Sequence, residues 1–559
     1  MSTTSQRLLP EVSTPPLAEA VPQDTMRFAD LAADLHPTLI ETITQDLGFD
    51  HMTPVQEATL HELLHNRVDC LAQAKTGTGK TVAFLLPAIQ TLMNKRPTTK
   101  KKVSLLVISP TRELALQIAK EASSLLGRLP QYKVQWAIGG TNKDREERDI
   151  LGGCDILIAT PGRLKDHFGN PNVVELFSSL DTLVLDEADR LLDMGFAAEL
   201  KAIISYLPNK EETKRQGMLF SATIADHVNK FAHLALSPGY KFISTIPAGE
   251  LNTHEHVTQL LVTVPDFKDV LPATISTLRR EVASTGINNF KAILFCPTAA
   301  QADWFAESIS KASGLPTVST LHARMSQSKR TNVTNAFRTA SSAILIATDV
   351  VARGMDFPNV STVVQINLPT DKESYIHRLG RTARAGRDGR GIFIIAEAES
   401  FFPKYRLKEI AFVPTEADIS PQDTALVQQT AANSEMQGKA YQAWLGYYKA
   451  HLKALNWTPE QLVQHANRYA IDALCAGGVP ELQKSTVGKM GLKGVRGLNV
   501  VANAPHVGRG GQANAPAGGV ASSGPGSWKG GRRMPKPYSE PQEEPSYQHA
   551  GRTRRKDHQ

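Results

Sequence analysis

The sequence predicts an α/β protein with two tandem domains, each a doubly wound parallel sheet, followed by a helical C-terminal extension and a disordered basic tail. Two series of short apolar runs alternate with helical stretches, which is typical of parallel sheets covered by helices on both faces. The chain has 559 residues and is 41% hydrophobic. It is therefore long enough for two or three cores, because single cores stop growing at about 250 to 300 residues. No apolar run reaches the ~18 residues of a membrane span, so we expect a soluble protein without a membrane partner.

Cysteine spacing and net charge indicate the compartment and the kind of partner to expect. Cys70, Cys154, Cys296 and Cys475 have no paired spacing, which argues against a disulfide framework or zinc site and fits a reducing compartment. The formal charge of +7 and the pI near 9.0 are modestly basic. This balance permits a nucleic-acid partner without proving one.

Changes in composition divide the chain into six segments. They are a disordered leader (1–25), a first domain (26–245), a linker (246–256), a second domain (257–415), a helical extension (416–496) and a disordered, Gly-rich basic tail (497–559). The leader has one basic residue, Arg7, and lacks an apolar core. It therefore resembles neither a secretory signal nor a strong mitochondrial transit peptide.

A phosphate-binding loop lies between the first predicted strand (68–72) and a helix. Gly77 and Gly79 let backbone N–H groups close on phosphates, Lys80 supplies a point charge, and the Thr81 hydroxyl can bind magnesium. Ala74 replaces the first glycine of the general pattern. The alternative is a glycine-rich turn without a ligand. The predicted nucleotide-binding residues of the loop are Ala74, Lys75, Thr76, Gly77, Thr78, Gly79, Lys80 and Thr81.

An acidic tetrad, 186–189, follows the apolar run 182–185. In open α/β sheets, ligands bind at the carboxyl ends of strands. A carboxylate cluster there requires a positive partner, and a magnesium ion on a nucleotide phosphate fits. The alternative is an acidic turn that caps the next helix.

Further polar residues are predicted to surround this site. Gln56 offers donors and an acceptor that match an adenine edge, and Phe49 could stack on the base. Three other predicted strands (103–108, 134–138 and 155–159) end in Thr, Gly and Arg, and a sixth run spans 218–220. Such strand ends beside helix N-termini predict a track for a polyanionic backbone. The track residues are Pro110, Thr111, Arg112, Gly139, Gly140, Thr160, Pro161, Gly162 and Arg163.

The second domain has predicted strands at 291–295, 344–347, 363–366 and 392–395, but no phosphate loop. It offers arginines instead. Arg381 and Arg384, three positions apart, lie side by side on a helix and could point together at a γ-phosphate. The alternative is that this arginine-rich stretch simply binds RNA.

Together these motifs resemble the ordered motif set of the DEAD-box ATP-dependent RNA helicases. The resemblance implies two RecA-like domains with ATP and Mg²⁺ as cofactors. Asp186, with Thr81, would hold magnesium largely through water, and Glu187 would position and deprotonate the attacking water. Asp189 and Ser221, Ala222 and Thr223 would couple the ATP site to RNA.

The resemblance also assigns roles in the second domain. Arg381 and Arg384 would be arginine fingers that join Lys80, Asp186 and Glu187 in catalysis. Asp356 would hold the ribose, and His377 would link to the acidic tetrad. The remaining RNA contacts would be Thr298, Arg324, Thr348, Arg353 and Gly354. Ala323 and Ala383 stand where the family usually has glycine, which predicts altered loop stiffness.

The implied function is an RNA-dependent ATP hydrolase that locally separates RNA duplexes. The alternatives are an ATP-gated RNA clamp with incidental hydrolysis and a DNA helicase. RNA is the expected partner, bound through its backbone without sequence preference, with ribonucleoproteins as further partners and the chain a monomer.

The extension most resembles that of the fungal mitochondrial subgroup that assists intron splicing, RNA processing and translation. We expect it to brace the second domain; the alternative is that it lengthens the RNA groove. That subgroup implies the mitochondrial matrix, with nucleus or cytoplasm as the alternative. The basic tail is expected to tether large RNAs.

Overall fold

The computed structural model describes residues 25–75, 77–95, 102–246, 257–349, 355, 357–383, 389–430 and 433–503. All of them belong to one compact unit, residues 1–503. The leader up to residue 24, residues 247–256 of the predicted linker, and the tail from residue 504 lie outside the described residues. We call residues 25–246 the first lobe and residues 257–503 the second lobe.

The first lobe is built on a seven-stranded parallel sheet in the order β3-β4-β2-β5-β6-β1-β7. The central strands are short runs of Leu, Ile and Val buried on both faces, as expected for a sheet covered by helices. Their bounds are β1 Cys70–Gln73, β2 Leu105–Ile108, β3 Val134–Ala137, β4 Ile156–Ala159, β5 Thr182–Leu185, β6 Gln216–Ser221 and β7 Lys241–Ser244.

Helices on both faces of this sheet cover two apolar clusters. Their bounds are α1 Pro37–Glu41, α2 Pro54–Leu64, α3 Lys80–Met93, α4 Arg112–Leu125, α5 Lys143–Leu151, α6 Pro161–His167, α7 Pro171–Glu175, α8 Ala188–Asp193, α9 Ala197–Tyr206, α10 Lys210–Thr213 and α11 Asp226–Ala235, with a 3-10 turn at Phe28–Leu31 and a π turn at Thr42–Asp46. Several begin at a side-chain cap; Thr111, for example, accepts a hydrogen bond from the Leu114 N–H.

The second lobe repeats the architecture with seven parallel strands in the order β10-β11-β9-β12-β13-β8-β14. The strands are β8 Val257–Val264, β9 Lys291–Phe295, β10 Val318–Leu321, β11 Ala343–Ala347, β12 Thr362–Ile366, β13 Gly389–Ala396 and β14 Val413–Thr415. The helices are α12 Val270–Thr285, α13 Ala299–Ser310, α14 Gln327–Thr339 and α15 Lys372–Leu379, with short turns at Phe267–Asp269, Glu397–Glu399 and Phe402–Arg406.

The C-terminal extension is helical and shares the core of the second lobe. It comprises α16 Pro421–Thr430, α17 Ser434–Lys449, α18 Leu452–Leu455, α19 Pro459–Arg468, a π turn at Tyr469–Ala473, and α20 Lys484–Lys489. Trp444 and Tyr448 of α17 pack edge-on against Phe267 of the sheet domain, at centroid distances of 5.2 and 5.3 Å. Regular structure continues past Gly497, because β16 Val500–Val501 pairs with β15 Leu482–Gln483.

The predicted fold class is confirmed: two doubly wound parallel sheets, arranged as tandem RecA-like domains. Four strands, β7, β8, β10 and β14, were not predicted from the sequence. β7, β10 and β14 lie at sheet edges and are partly exposed, so they lack the continuous apolar runs of buried strands. β8 alternates buried and exposed residues instead. Among the described residues, no helix is long and apolar enough to span a bilayer.

Candidate active site and nucleic-acid interface

The phosphate loop connects β1 to α3 at the carboxyl edge of the first sheet. Gly77 and Gly79 have φ values of 84° and 83°, a left-handed conformation that glycine adopts without strain. Lys80 is buried, and its Nζ donates to the carbonyls of Ala74 at 2.8 Å and Lys75 at 3.3 Å. The lysine therefore closes the loop on itself, with α3 beginning at that residue. Thr76 lies outside the described residues, and Thr81 is half-buried in the first turn of α3.

Gln56, on α2, is hydrogen-bonded to the phosphate loop. Its Oε1 accepts from the Thr53 N–H at 2.8 Å, and its Nε2 donates to the Gly79 carbonyl at 3.1 Å. A Cβ at Gly79 would approach Gln56 Nε2 to 2.6 Å and would displace this amide, in addition to the strain at the positive φ. Phe49 is half-buried beside this helix. The amide predicted to face an adenine therefore also links α2 to the phosphate loop.

The acidic tetrad follows β5 as predicted and lies buried at the carboxyl end of the sheet. Asp186 and Glu187 are each 4% exposed. Burial, reinforced by the Glu187 charge and opposed by Lys80, raises the pKa of Asp186 to about 7. Glu187 adopts a left-handed backbone with φ of 50°, and its Oε2 is buried without a hydrogen-bond partner. Two buried carboxylates side by side favour a cationic ligand, because a positive charge stabilises their ionised forms.

Magnesium fits these residues. Among the described residues, no three His, Cys, Asp or Glu side chains converge on a metal position. A magnesium ion held by Asp186 and the Thr81 hydroxyl would therefore take its remaining ligands from water and phosphate, as this cation commonly does. Two observations support magnesium at this site: Glu187 Oε2 is buried without a hydrogen-bond partner, and the pKa of Asp186 is raised.

Asp189 is hydrogen-bonded to two of the other predicted coupling residues, Ser221 and Thr223. Its Oδ2 accepts from the Thr223 N–H at 3.2 Å and the Thr223 Oγ1–H at 2.9 Å, and its own N–H donates to Ser221 Oγ at 3.3 Å. The Ala222 carbonyl accepts from Gln73 Nε2 at 3.5 Å. The structure thus joins the tetrad to the strand end at 221–223.

His377 reaches Asp189 from the second lobe. Its Nε2 lies 3.5 Å from Asp189 Oδ2, and both side chains are almost fully buried. Nearby, Arg190 donates to the Asp349 carbonyl, while the Asp349 carboxylate accepts from Arg378 Nε at 2.7 Å and Nη2 at 3.0 Å. Residues from both lobes therefore meet at the acidic tetrad.

Arg381 lies on the second-lobe side of the same site. It is 1% exposed, and its guanidinium donates to the Met355 carbonyl at 2.7 Å and the His377 carbonyl at 3.3 Å. Burial lowers the pKa of Lys80; Asp186, Glu187 and Asp189 oppose this, and Arg381 adds to it. Arg381 is thus anchored to His377, the second-lobe residue that reaches the acidic tetrad. Four other predicted residues, Arg384, Asp356, Arg353 and Gly354, lie outside the described residues.

Arg112 and the paired glycines form one part of the predicted RNA track in the first lobe. A Cβ on Gly140 would approach Arg112 Nη1 to 2.4 Å, and one on Gly139 would approach Nη2 to 2.9 Å. The absence of side chains at both positions thus lets the arginine lie flat on the turn. Thr111 caps α4, so the track and the helix start at the same point.

Arg163 forms a second part of this track. Its guanidinium donates to Thr141 Oγ1 at 3.3 Å, the Thr141 carbonyl at 3.1 Å and Glu146 Oε2 at 2.6 Å. Thr160 precedes the start of α6, Pro161 occupies the first helical position, and open space surrounds Gly162. Pro110 is buried at the end of β2.

Thr298, Arg324 and Thr348 contribute the second-lobe part. Thr298 caps α13, and Thr348 follows β11 with its N–H donating to the Leu321 carbonyl at 3.4 Å. Arg324 is exposed and lines a cleft of about 490 Å³ together with Lys329 of α14 and Lys439 of α17. The extension therefore borders the predicted track in addition to packing on the second lobe.

A buried ion pair between the lobes involves residues that have no predicted role. Glu113 Oε2 accepts from Arg330 Nη2 at 2.5 Å, and each side chain is 5% exposed. Gln327 Nε2 donates to Glu113 Oε1 at 3.2 Å, and Gln327 Oε1 lies 3.4 Å from Arg112 Nη1. The one sequence signal was a glutamate directly after Arg112, and its partner 217 residues away could not be identified from spacing.

Comparisons with known proteins agree with this geometry. Residues 53–231 match the family described as DEAD/DEAH box helicase, and residues 273–386 match the helicase conserved C-terminal domain. "ATP-dependent RNA helicase MSS116, mitochondrial" of Phaeosphaeria nodorum is 44% identical over 480 residues, covering 85% of this chain and 86% of that protein. "DEAD-box ATP-dependent RNA helicase 26" of Oryza sativa subsp. japonica is 42% identical over 464 residues, covering 82% and 83%.

Solved structures show the same likeness. Mss116p bound to ssRNA and AMP-PNP has a TM-score of 0.76 at 28% identity, covering 84% of this chain and 95% of that one. S. cerevisiae Dbp5 bound to RNA and ADP BeF3 has a TM-score of 0.60 at 26% identity, covering 72% and 99%. With two family matches, a 44% identical relative and the motifs in one buried site, the chain belongs to the DEAD-box family of ATP-dependent RNA helicases.

Proposed function

We propose that this protein hydrolyses ATP when it binds RNA, and that closure of its two lobes around both ligands locally separates RNA duplexes. The observation that carries the proposal is the meeting of second-lobe residues with the acidic tetrad. His377 Nε2 lies 3.5 Å from Asp189 Oδ2, and the buried Arg381 donates to the His377 carbonyl at 3.3 Å. A phosphate loop on one lobe and arginine on the other form a complete phosphoryl-transfer site only when the lobes close.

Each residue of the site has a separate proposed role in ATP hydrolysis. Lys80 and the loop N–H groups hold the phosphates, and Asp186 with Thr81 would hold Mg²⁺. Bound Mg²⁺ supplies charge neutralisation on the phosphate oxygens. Glu187 has a buried carboxylate oxygen without a partner, which suits it to orient the attacking water and accept its proton. Arg381, and Arg384 outside the described residues, would stabilise the charge that develops in the transition state.

RNA would be held through its backbone. The track residues that the structure describes are arginine, threonine and glycine groups at strand ends and helix starts, which contact phosphates and sugars and do not read bases. Binding is therefore insensitive to sequence. We propose that Asp189, which is hydrogen-bonded to Thr223 and lies next to His377, couples RNA binding to closure at the ATP site.

Glu187→Gln tests the enzyme against an ATP-gated clamp. The substitution keeps the size of the side chain and removes its charge, so we expect RNA-stimulated ATP hydrolysis to fall by about 10² to 10⁴, while RNA binding with AMP-PNP stays intact. Single-turnover hydrolysis with and without RNA measures this, with exposed Glu212→Gln as the control. If duplex separation by Glu187→Gln matches that of the wild type, the chain is a clamp and the enzyme proposal fails.

We also propose that the protein acts in the mitochondrial matrix, where it assists intron splicing, RNA processing and translation. Relatives from Phaeosphaeria nodorum and Aspergillus oryzae, 44% and 41% identical, carry names that include "mitochondrial". Protease protection of the native protein in isolated organelles tests the compartment. A protein accessible to protease outside intact mitochondria, or found in nuclei, contradicts this proposal without touching the enzymatic one.

A further inference from the structure

Glu146, on α5, is a fully buried carboxylate that joins three parts of the first-lobe RNA track. Its Oε1 accepts from the Ile138 N–H at 3.4 Å and from the Thr141 hydroxyl, and its Oε2 accepts from Arg163 Nη1 at 2.6 Å. Ile138 and Thr141 flank the turn Gly139-Gly140, against which Arg112 lies. One carboxylate therefore sets the position of the glycine turn relative to Arg163.

His167, on α6, contacts the same Glu146 carboxylate. It lies on α6 one turn after Arg163 and is fully buried. Its Nε2 is 3.2 Å from Glu146 Oε2, and its Nδ1 is 3.4 Å from Glu147 Oε2. Asn170 Nδ2 in turn donates to Glu147 Oε1 at 2.7 Å. Both ring nitrogens thus face carboxylate oxygens of neighbouring glutamates on α5.

The Glu146 carboxylate is fully buried and depends on Arg163 and His167 for the contacts of its Oε2. Without the His167 contact, Arg163 would be the side chain left at Glu146 Oε2, and a buried carboxylate that loses a partner is destabilised. Glu146 would then fix Arg163 and the Gly139-Gly140 turn less firmly, so their spacing would be less well suited to an RNA backbone.

We propose that His167 is a positioning residue for RNA binding, acting through Glu146 to hold Arg163 and the Gly139-Gly140 turn at the spacing of an RNA backbone. This inference rests on the proposed RNA-stimulated activity and adds a residue, outside the motifs, that sets the affinity for RNA. His167 touches neither nucleotide nor RNA. Its loss should therefore change the RNA concentration that stimulation requires, and leave turnover at saturating RNA in place.

His167→Gln is the direct test, because glutamine keeps one donor and similar volume. We expect the RNA concentration for half-maximal ATP hydrolysis to rise about tenfold, the effect of weakening one charge-assisted contact. Turnover at saturating RNA and the KM for ATP should stay within about twofold. Glu147→Gln, at the partly exposed edge of the cluster, should shift the RNA concentration in the same direction by a smaller factor.

His227→Gln is the matched control, since His227 pairs with Asp193 at 3.1 Å in the same lobe and is half-exposed, whereas His167 is fully buried against Glu146. We expect it to match the wild type. The inference is overturned if His167→Gln binds single-stranded RNA like the wild type, or if turnover falls as much as affinity. A wild-type chain without any RNA stimulation would instead overturn the proposed function, so the two failures are distinguishable.

Discussion

The contact between Arg330 and Glu113 offers the sharpest test of lobe closure. Their atoms are 2.5 Å apart, and each side chain is 5% exposed. Arg330→Ala would leave Glu113 buried in the closed arrangement with Gln327 as its remaining side-chain donor from the second lobe. When the lobes separate, Glu113 returns to water, so the cost falls on the closed arrangement alone.

The magnitude follows from burial. Removing one partner of a buried ion pair costs about 3 to 5 kcal/mol, and we use about 3 kcal/mol because Gln327 remains. Since about 1.4 kcal/mol corresponds to a factor of ten, RNA affinity in the presence of AMP-PNP should fall about a hundredfold. RNA affinity without nucleotide should change much less, because the lobes are then not held closed.

Fluorescence anisotropy with labelled single-stranded RNA measures both affinities. Lys311→Ala is the control, because Lys311 pairs with Glu307 at 2.8 Å on an exposed helix face, where such pairs contribute about 0 to 1 kcal/mol. Glu113→Ala combined with Arg330→Ala should recover part of the loss. Equal RNA affinity for Arg330→Ala and wild type with AMP-PNP would refute the reasoning.

Three further predictions concern stability, each measured by denaturant unfolding. Ala383 has φ of 52°, where a non-glycine residue costs about 1 to 2 kcal/mol; Ala383→Gly should therefore raise the free energy of unfolding by about 0.5 to 1 kcal/mol after the entropy of glycine is subtracted, and a lower midpoint would contradict this. Burial tends to raise the pKa of Glu146, but hydrogen bonds from His167, Thr141 and Arg163 lower it below its ordinary 4.5. Ionised Glu146 therefore contributes to the free energy of unfolding above pH 4.5, and this contribution is lost as the pH falls through the lowered pKa. In Glu146→Gln, the free energy of unfolding should decrease less steeply as the pH falls. An unchanged pH dependence argues against a charged Glu146. Tyr448 donates to the buried carboxylate of Glu399, which also accepts from Asn367, Leu368 and Ala396. Tyr448→Phe should cost about 1 to 3 kcal/mol, and Tyr405→Phe, 64% exposed, should cost nothing measurable; equal midpoints for the two would count against the bracing role of the extension.

The sequence predicted the buried parts of the fold better than its edges. Runs such as Leu105–Ile108 and Ile344–Ala347 are continuous and apolar because they are buried on both faces, so their pattern is distinctive. Strand Lys241–Ser244 is largely exposed at a sheet edge, and its pattern resembles that of a loop. The end of the extension was also placed too early, because the pairing of Val500 with Leu482 depends on tertiary contact.

The candidate site divides in the same way. Residues predicted to touch ligands lie in short local motifs, so the phosphate loop, the tetrad and Arg381 could be proposed from spacing. Residues that hold them in place follow no local pattern. Glu113 and Arg330 are 217 positions apart, and Glu146 lies on a polar helix whose sequence does not show that one of its carboxylates is buried.

The central claim is that the nucleotide site of the first lobe is completed by a guanidinium from the second. Arg381→Ala tests it by single-turnover ATP hydrolysis at saturating RNA, with the exposed Arg406→Ala as control and thermal unfolding to confirm that the variant folds. We expect the rate of ATP hydrolysis to fall by about 10³ to 10⁵, which is the contribution of arginine fingers in phosphoryl-transfer enzymes. ATP and RNA should still bind. Hydrolysis within tenfold of the wild type in a folded Arg381→Ala variant would contradict the central claim.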